Sequence, residues 1–321
     1  MYQELFFNAE LGSQSYVEKL FKRIRCEELR ELVKAFGNEN LYSESKTDIE
    51  ILKQLVAFSS IWDYRQRRRI HQSEGERWQV DSGVFTEIQK VCIENAIDAL
   101  GLRGIQQPCQ KKYDYIIALG GARMSCLYRT QYAYDIFKKE EIHKLVLLSS
   151  LRKVMDSERV STDTYAPLAQ TEFDLMDAAL KKSSKICNVR KLEHEDENYN
   201  LSWKIVEGVD IGTGKEISSI AAPSRDKERR ANSADTYDFF LEKEEKKKNR
   251  QILFVTSQIY VPYQHIEAVR MIGIPYKMNI DTVGYPLEWN GSTGKPLYEN
   301  YLQEIRSTVQ AIDRLVMMIK K

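Results

Sequence analysis

Two adjacent glycines, Gly120 and Gly121, close the apolar run YIIAL and are followed by Arg123 and Ser125. Glycine lets backbone amides approach a ligand closely, and a helix starting just beyond such a turn points its positive end back at it. Arg123 would add a guanidinium able to grip an oxyanion with two hydrogen bonds. A tight turn needing positive φ is the plainer explanation of the pair. Three other apolar runs end in comparable chemistry: HKLVLLSS in Ser149, Ser150 and Arg152; the run to Ala222 in Ser224 and the turn ANSADT, with Asp235 and Thr236; and ILFVTS in Thr256, Ser257, Tyr260, Tyr263 and His265. Ligands of open α/β sheets bind beyond the carboxyl ends of strands. Hydroxyls and two or three arginines gathered there fit a phosphate or carboxylate better than a neutral molecule. Arg129 lies off that face and reads as a surface residue, a carboxylate partner or a ligand contact. His265 is the imidazole best placed for proton transfer. Pairing among His265, Glu267 and Arg270 is the alternative.

Several chemistries are excluded by pattern. The LGGARMS turn lacks the GxGxxG of a dinucleotide fold and the GKS or GKT of a phosphate-binding loop, and no GxSxG elbow signals a serine hydrolase. Cys26, Cys92, Cys109, Cys126 and Cys187 are odd in number and scattered, and the four histidines form no HxxxH pair, so neither a disulfide framework nor a metal site is expected.

The elements that must position these residues follow from periodicity. Apolar spacing near 3.6 predicts helices over 14–36, 46–61 and 84–100, the last stopping at Gly101. Beyond Pro108 the texture becomes strand, loop, helix: a strand over 111–121, a helix over Arg123–Phe137, a strand over 143–150 and the helix TEFDLMDAALKK. Two alternating runs around Gly212 and Gly214 predict a hairpin insertion, about 199–216, ahead of a strand near Ile217–Ala222. A helix around Thr236–Lys248, the strand ILFVTS and a long amphipathic helix over about 297–320 complete the chain. The expected fold is α/β, a doubly wound, mostly parallel Rossmann-like sheet over 111–321 with a helical N-terminal subdomain over 1–110. The stretch DTVGYPLEWNGSTGKP, with Asp281, Tyr285 and Trp289, reads as a lid or a plain connection.

Over 321 residues, 48 Lys and Arg face 47 Asp and Glu, a net charge of +1, so no global field steers the chain to nucleic acid or membrane. The basic cluster Arg65, Arg67, Arg68 and Arg69 reads as a solvated face rather than a nucleic-acid site. A hydrophobic fraction of 42% is enough for a real core. No leader and no apolar run of about 18 residues is present, so a cytoplasmic protein is expected.

In order and spacing over roughly 113–280, the segments IIALGGARMSCLYRTQYAYDIF, LVLLSS, QTEFDLM, NSADTYDFF and ILFVTS resemble the SanA/YdcF-like domain family. The resemblance implies a Rossmann-like fold and a small polar, phosphate- or nucleotide-bearing ligand. It implies roles for Glu172 at a helix start and for Ser233, Asp235 and Thr236 in the turn before another helix. The family's strand-end His and Arg would fall near Tyr260 and Tyr263, where this chain departs from the pattern. The expectation is therefore a metal-independent transferase or hydrolase for a small anionic metabolite, with a non-catalytic metabolite-sensing module as the alternative. His265, Tyr260 and Glu172 would surround the reacting centre. Gly120, Gly121, Arg123, Ser125, Ser149, Arg152, Asp235, Thr236, Thr256, Ser257 and Tyr263 would hold substrate. S-adenosylmethionine or a nucleotide are the candidate cofactors, and a homo-oligomer is compatible with the sequence.

Overall fold

A computed structural model describes residues 5–64, 83–104, 107–244, 250–291 and 295–320. The arginine cluster at 65–69 and the end of the helix expected to reach Lys248 lie outside the described residues. The chain forms a seven-stranded sheet in the order β3-β4-β5-β2-β1-β6-β7. Its strands are β1 (Lys112–Leu119), β2 (Glu141–Ser150), β3 (Ile186–His194), β4 (Trp203–Asp210), β5 (Glu216–Ala222), β6 (Gln251–Ser257) and β7 (Asn279–Tyr285). The five strands from β5 to β7 are parallel, and β4 and β3 extend the sheet antiparallel beyond β5. Strand order reverses between β1 and β6, the switch point of a doubly wound sheet.

Alternation along the strands divides the core into two layers, because successive side chains point to opposite faces. Ile116, Ala118, Leu145, Leu147, Leu253 and Val255 pack with α5 (Ser125–Lys139) and α7 (Glu172–Ser183). Ile117, Leu119, Val146, Leu148, Ile252 and Phe254 face α8 (Ser233–Lys243) and α9 (Val261–Ala268). The short helix α6 (Asp156–Thr162) lies between β2 and α7. Helix starts follow local chemistry: Thr171 with Asp174 and Asn232 with Asp235 form capping boxes at α7 and α8.

The N-terminal region forms α1 (Gly12–Ile24), α2 (Glu27–Ala35), α3 (Asp48–Phe58) and α4 (Glu87–Ala99). The predicted helix over 14–36 is thus two, broken at Arg25 and Cys26. These helices share one hydrophobic cluster with the sheet and with α10 (Tyr298–Ile319). Phe7 bridges Ile280 of β7 through two backbone hydrogen bonds of 3.0 Å, and the Arg23 guanidinium donates to the Leu100 carbonyl. Three strands depart from expectation. β3 adds a third antiparallel strand, and β5 is itself the second arm of the predicted hairpin. β7 occupies the start of the stretch read as lid or connection; it is a fully paired parallel strand beside β6.

β7 also sets a tolerance. A Cβ on Gly284 would lie 2.6 Å from the backbone nitrogen of Gln258. Gly284→Ala is predicted to lower the free energy of unfolding by roughly 1–3 kcal/mol, seen in urea titration as a lower midpoint with an unchanged slope.

Candidate anion-binding cleft

At the switch point the space between the ends of β1 and β6 is filled by Arg129, 4% exposed. Its guanidinium donates to Ser257 Oγ at 2.9 and 3.1 Å, to Leu119 O at 3.1 Å and to Gly120 O. The Tyr260 ring covers it, centroid 5.7 Å away. No carboxylate pairs with it among the described residues. Helical side chains lean toward the N-terminus, so a residue one turn inside α5 covers the turn that precedes the helix. None of the three readings of Arg129 from sequence describes this role.

The glycine pair serves the same packing. A Cβ on Gly121 would lie 2.9 Å from Arg129 Nη1, and one on Gly120 would lie 2.8 Å from Glu172 Cδ. Neither glycine has positive φ; the left-handed residue of the turn is Arg123, at φ 56°. The glycines admit two charged side chains of the protein itself, which corrects the expectation of an anion cradle there. Arg123 is exposed, and its amide donates to Glu158 Oε1 at 3.1 Å. The helix expected from Arg123 begins at Ser125.

Other expected contacts are also held by the fold. Ser149 Oγ donates to Ile220 O at 3.1 Å inside the sheet. Asp235 accepts from the Asn232 amide at 2.8 Å and from Arg229 Nη2 at 3.1 Å; burial opposes its ionisation, yet the Arg229 guanidinium and the Asn232 and Arg225 amides hold it below the usual carboxylate range. Thr236 Oγ1 donates to Ser233 O at 3.0 Å, and Thr256 is fully buried beneath the surface. Tyr263 is half-buried on α9, packed against the core. His265 is corrected most sharply. It is 0% exposed, with Nδ1 3.0 Å from Thr282 Oγ1 in the middle of β7 and its ring 6.0 Å from that of Tyr16. Burial, reinforced by the Arg23 charge, pushes its pKa down to about 3. One turn into α9, the side chain faces the sheet rather than the crevice.

A connected polar group does form where β1 and β2 end. Glu172 Oε2 accepts from the Ser150 amide at 3.0 Å and from its hydroxyl at 2.9 Å. Arg152 donates to Glu158 at 2.6 and 3.1 Å and to Gly121 O at 3.1 Å. Burial opposes ionisation of Glu158, but Arg152 and the Met155 and Arg123 amides outweigh it and hold the pKa low. Beside this group opens a cleft of about 220 Å³ between the ends of β2 and β5. Ser150, Leu151, Arg152 and Lys153 form one side; Tyr199, Asn200 and Ser202, from the turn between β3 and β4, form the second; Ala222, Arg230 and Ala231 form the third. The lining carries three cations and no carboxylate. Lys153, exposed, makes no ion pair among the described residues and lies 5.5 Å from the Tyr199 ring centroid. Two hydrogen bonds tie the second side to the third: Ser224 N to Asn200 O at 2.7 Å and Asn200 Nδ2 to Lys227 O at 2.9 Å. Of the expected ligand residues the cleft lining includes Arg152, with Glu172 behind it through Ser150. Lys153, Tyr199, Asn200 and Arg230 were missed; the run KERR just past a strand end was the available signal. Among the described residues no three His, Cys, Asp or Glu side chains converge as metal ligands would.

Fold and cleft together define a doubly wound α/β protein with an antiparallel extension and a cation-lined opening at its strand ends. Residues 8–101 match the profile of the Rv3785 N-terminal domain. The chain is similar, at 28% identity over 314 residues, to the uncharacterized proteins Rv3785 of Mycobacterium tuberculosis and Mb3814 of Mycobacterium bovis, covering 91% of this chain and 87% of each relative. No solved structure matches the chain. The similarity therefore runs to the Rv3785 proteins, and the likeness to SanA/YdcF-like domains is corrected. Its motifs are what a doubly wound sheet with capped helices produces: NSADT is the capping box of α8, and LGG is the packing turn over Arg129 and Glu172.

Two outcomes follow from these placements. Arg129→Lys, which cannot span the β1 carbonyls and Ser257 with one ammonium, is predicted to cost roughly 3 kcal/mol of stability in denaturant titration. For His265 the unfolded pKa is about 6.5 and the folded one is depressed, so its contribution is fully present above pH 6.5 and is lost as pH falls toward 3. Between pH 6.5 and 5 the loss is about 1.6 kcal/mol. Melting curves of His265→Leu across that interval should be flatter than those of the wild type by that increment.

Proposed function

We propose that this chain binds a small phosphorylated metabolite in the cleft between the ends of β2 and β5. The observation that carries the reading is the lining: Arg152, Lys153 and Arg230 around one small opening, with no acidic side chain among them. Arg152 is fixed by Glu158, so it contributes a positioned charge rather than a mobile one, and Lys153 contributes a charge that lies over the Tyr199 ring and has no carboxylate partner among the described residues. A fixed guanidinium beside an ammonium that has no carboxylate partner among the described residues makes an anion the favoured ligand. Binding is favoured over turnover, because His265 is locked in the core and the Glu172 carboxylate is engaged by Ser150. A cytoplasmic setting belongs to the same proposal: Cys26, Cys92, Cys109, Cys126 and Cys187 are all free thiols, and no helix among the described residues is long and apolar enough to cross a membrane.

Isothermal titration calorimetry with inorganic phosphate and ribose 5-phosphate tests the proposal. The wild type is expected to bind ribose 5-phosphate, and Lys153→Ala with Arg230→Ala is expected to weaken it at least about tenfold, as loss of one charge-assisted contact does, with unchanged melting. Absence of binding, or equal binding by the double variant, would sink it. Phosphorus NMR of the incubated mixture should return the sugar phosphate intact; released phosphate would instead make the chain a hydrolase.

A further inference from the structure

We propose that the ligand is a nucleoside monophosphate whose phosphate enters the cleft and whose base stacks on Tyr199. The inference rests on the reading of the cleft as an anion site and adds what the outer part of the ligand must be. A cleft of about 220 Å³ is smaller than the roughly 300–1,000 Å³ of ordinary ligand pockets. It encloses a phosphate and part of a sugar, so anything larger projects over the rim.

The rim is aromatic on the side contributed by the β3–β4 turn. Tyr199 is 44% exposed although it is fixed at both ends. Its hydroxyl donates to Leu151 O at 2.8 Å, and its backbone starts the 3-10 turn Tyr199–Leu201, capped by the Asn198 side chain. The ring is therefore held still with the residue 44% exposed and Lys153 Nζ over the ring, and this fixed position lowers the entropy cost of stacking a planar group on the remaining surface. Lys153, over the ring and in the cleft lining, places a cation between the two parts of the site. Asn200 spends its amide nitrogen on Lys227 O, leaving its side-chain oxygen unengaged among the described residues as an acceptor for an exocyclic amine. A bare sugar phosphate would use the cations and leave the ring and this acceptor idle.

Calorimetry with inorganic phosphate, ribose 5-phosphate and AMP, on the wild type, Tyr199→Ala and Tyr199→Phe, tests it. AMP is expected to bind the wild type at least about fivefold more tightly than ribose 5-phosphate, the low end for one base on an aromatic ring. Tyr199→Ala should erase that preference while leaving ribose 5-phosphate affinity unchanged, and Tyr199→Phe should keep most of it. Equal affinity of the wild type for AMP and ribose 5-phosphate, or an equal loss of both in Tyr199→Ala, would overturn the base-stacking inference and leave the anion site standing. Failure of all three probes to bind would remove the anion site itself, and this inference with it.

Discussion

A buried guanidinium with no carboxylate to answer it among the described residues sets the terms for the strand-end surface. Arg129 takes its charge balance from the last main-chain carbonyl of β1 and that of Gly120 just after it, a hydroxyl of β6 and the face of Tyr260. Such a group is stable only if all of these acceptors stay in place, so it ties the two strands on either side of the switch point to one another. The glycines above it then have no freedom to be anything larger. The opening that a doubly wound sheet usually leaves at this point is occupied by protein, and the usable space lies over the ends of β2 and β5.

That space exists because of the antiparallel extension. β4 covers the edge of β5, and the turn before it delivers Tyr199, Asn200 and Ser202 to the rim. The loop following β5 is tied to the turn through Asn200 and Ser224, so two stretches of chain that would otherwise be independent act as one wall. β3 ends the sheet with exposed Arg190, Lys191 and Glu193 and a register shift beyond Cys187, features that blunt an open edge against pairing with another chain.

Much of the framework was legible because it depends on local periodicity. The alternation of Ile116 and Ala118 against Ile117 and Leu119 marks a strand buried on both faces, and Gly101 closes α4 with φ 66° as a helix stop does. β3 escaped because ICNVRKLEH is half exposed and has no apolar rhythm. β7 escaped because Asp281 reads as a loop residue, although it is buried and accepts hydrogen bonds from Tyr113 at 2.5 Å and from the Cys109 amide at 2.7 Å. The site was less legible still. Which way a helix is rotated about its axis is decided by tertiary packing, and that rotation sends His265 to the core and Arg129 into the crevice. Tyr199 and Arg230 meet across 31 residues of sequence through hydrogen bonds between loops, and no spacing rule reports such a meeting.

The C-terminal helix has a consequence for the order in which the molecule assembles. α10 packs on α1, α3 and α4, and Phe7 pairs with Ile280. The first hundred residues therefore leave the ribosome without the surface that buries them. At about 5–20 residues per second, the helix that seals them emerges roughly 10–40 s later. For that interval the faces of α1, α3 and α4 that α10 covers are open, which makes the nascent chain, rather than the finished protein, the form with most need of a chaperone.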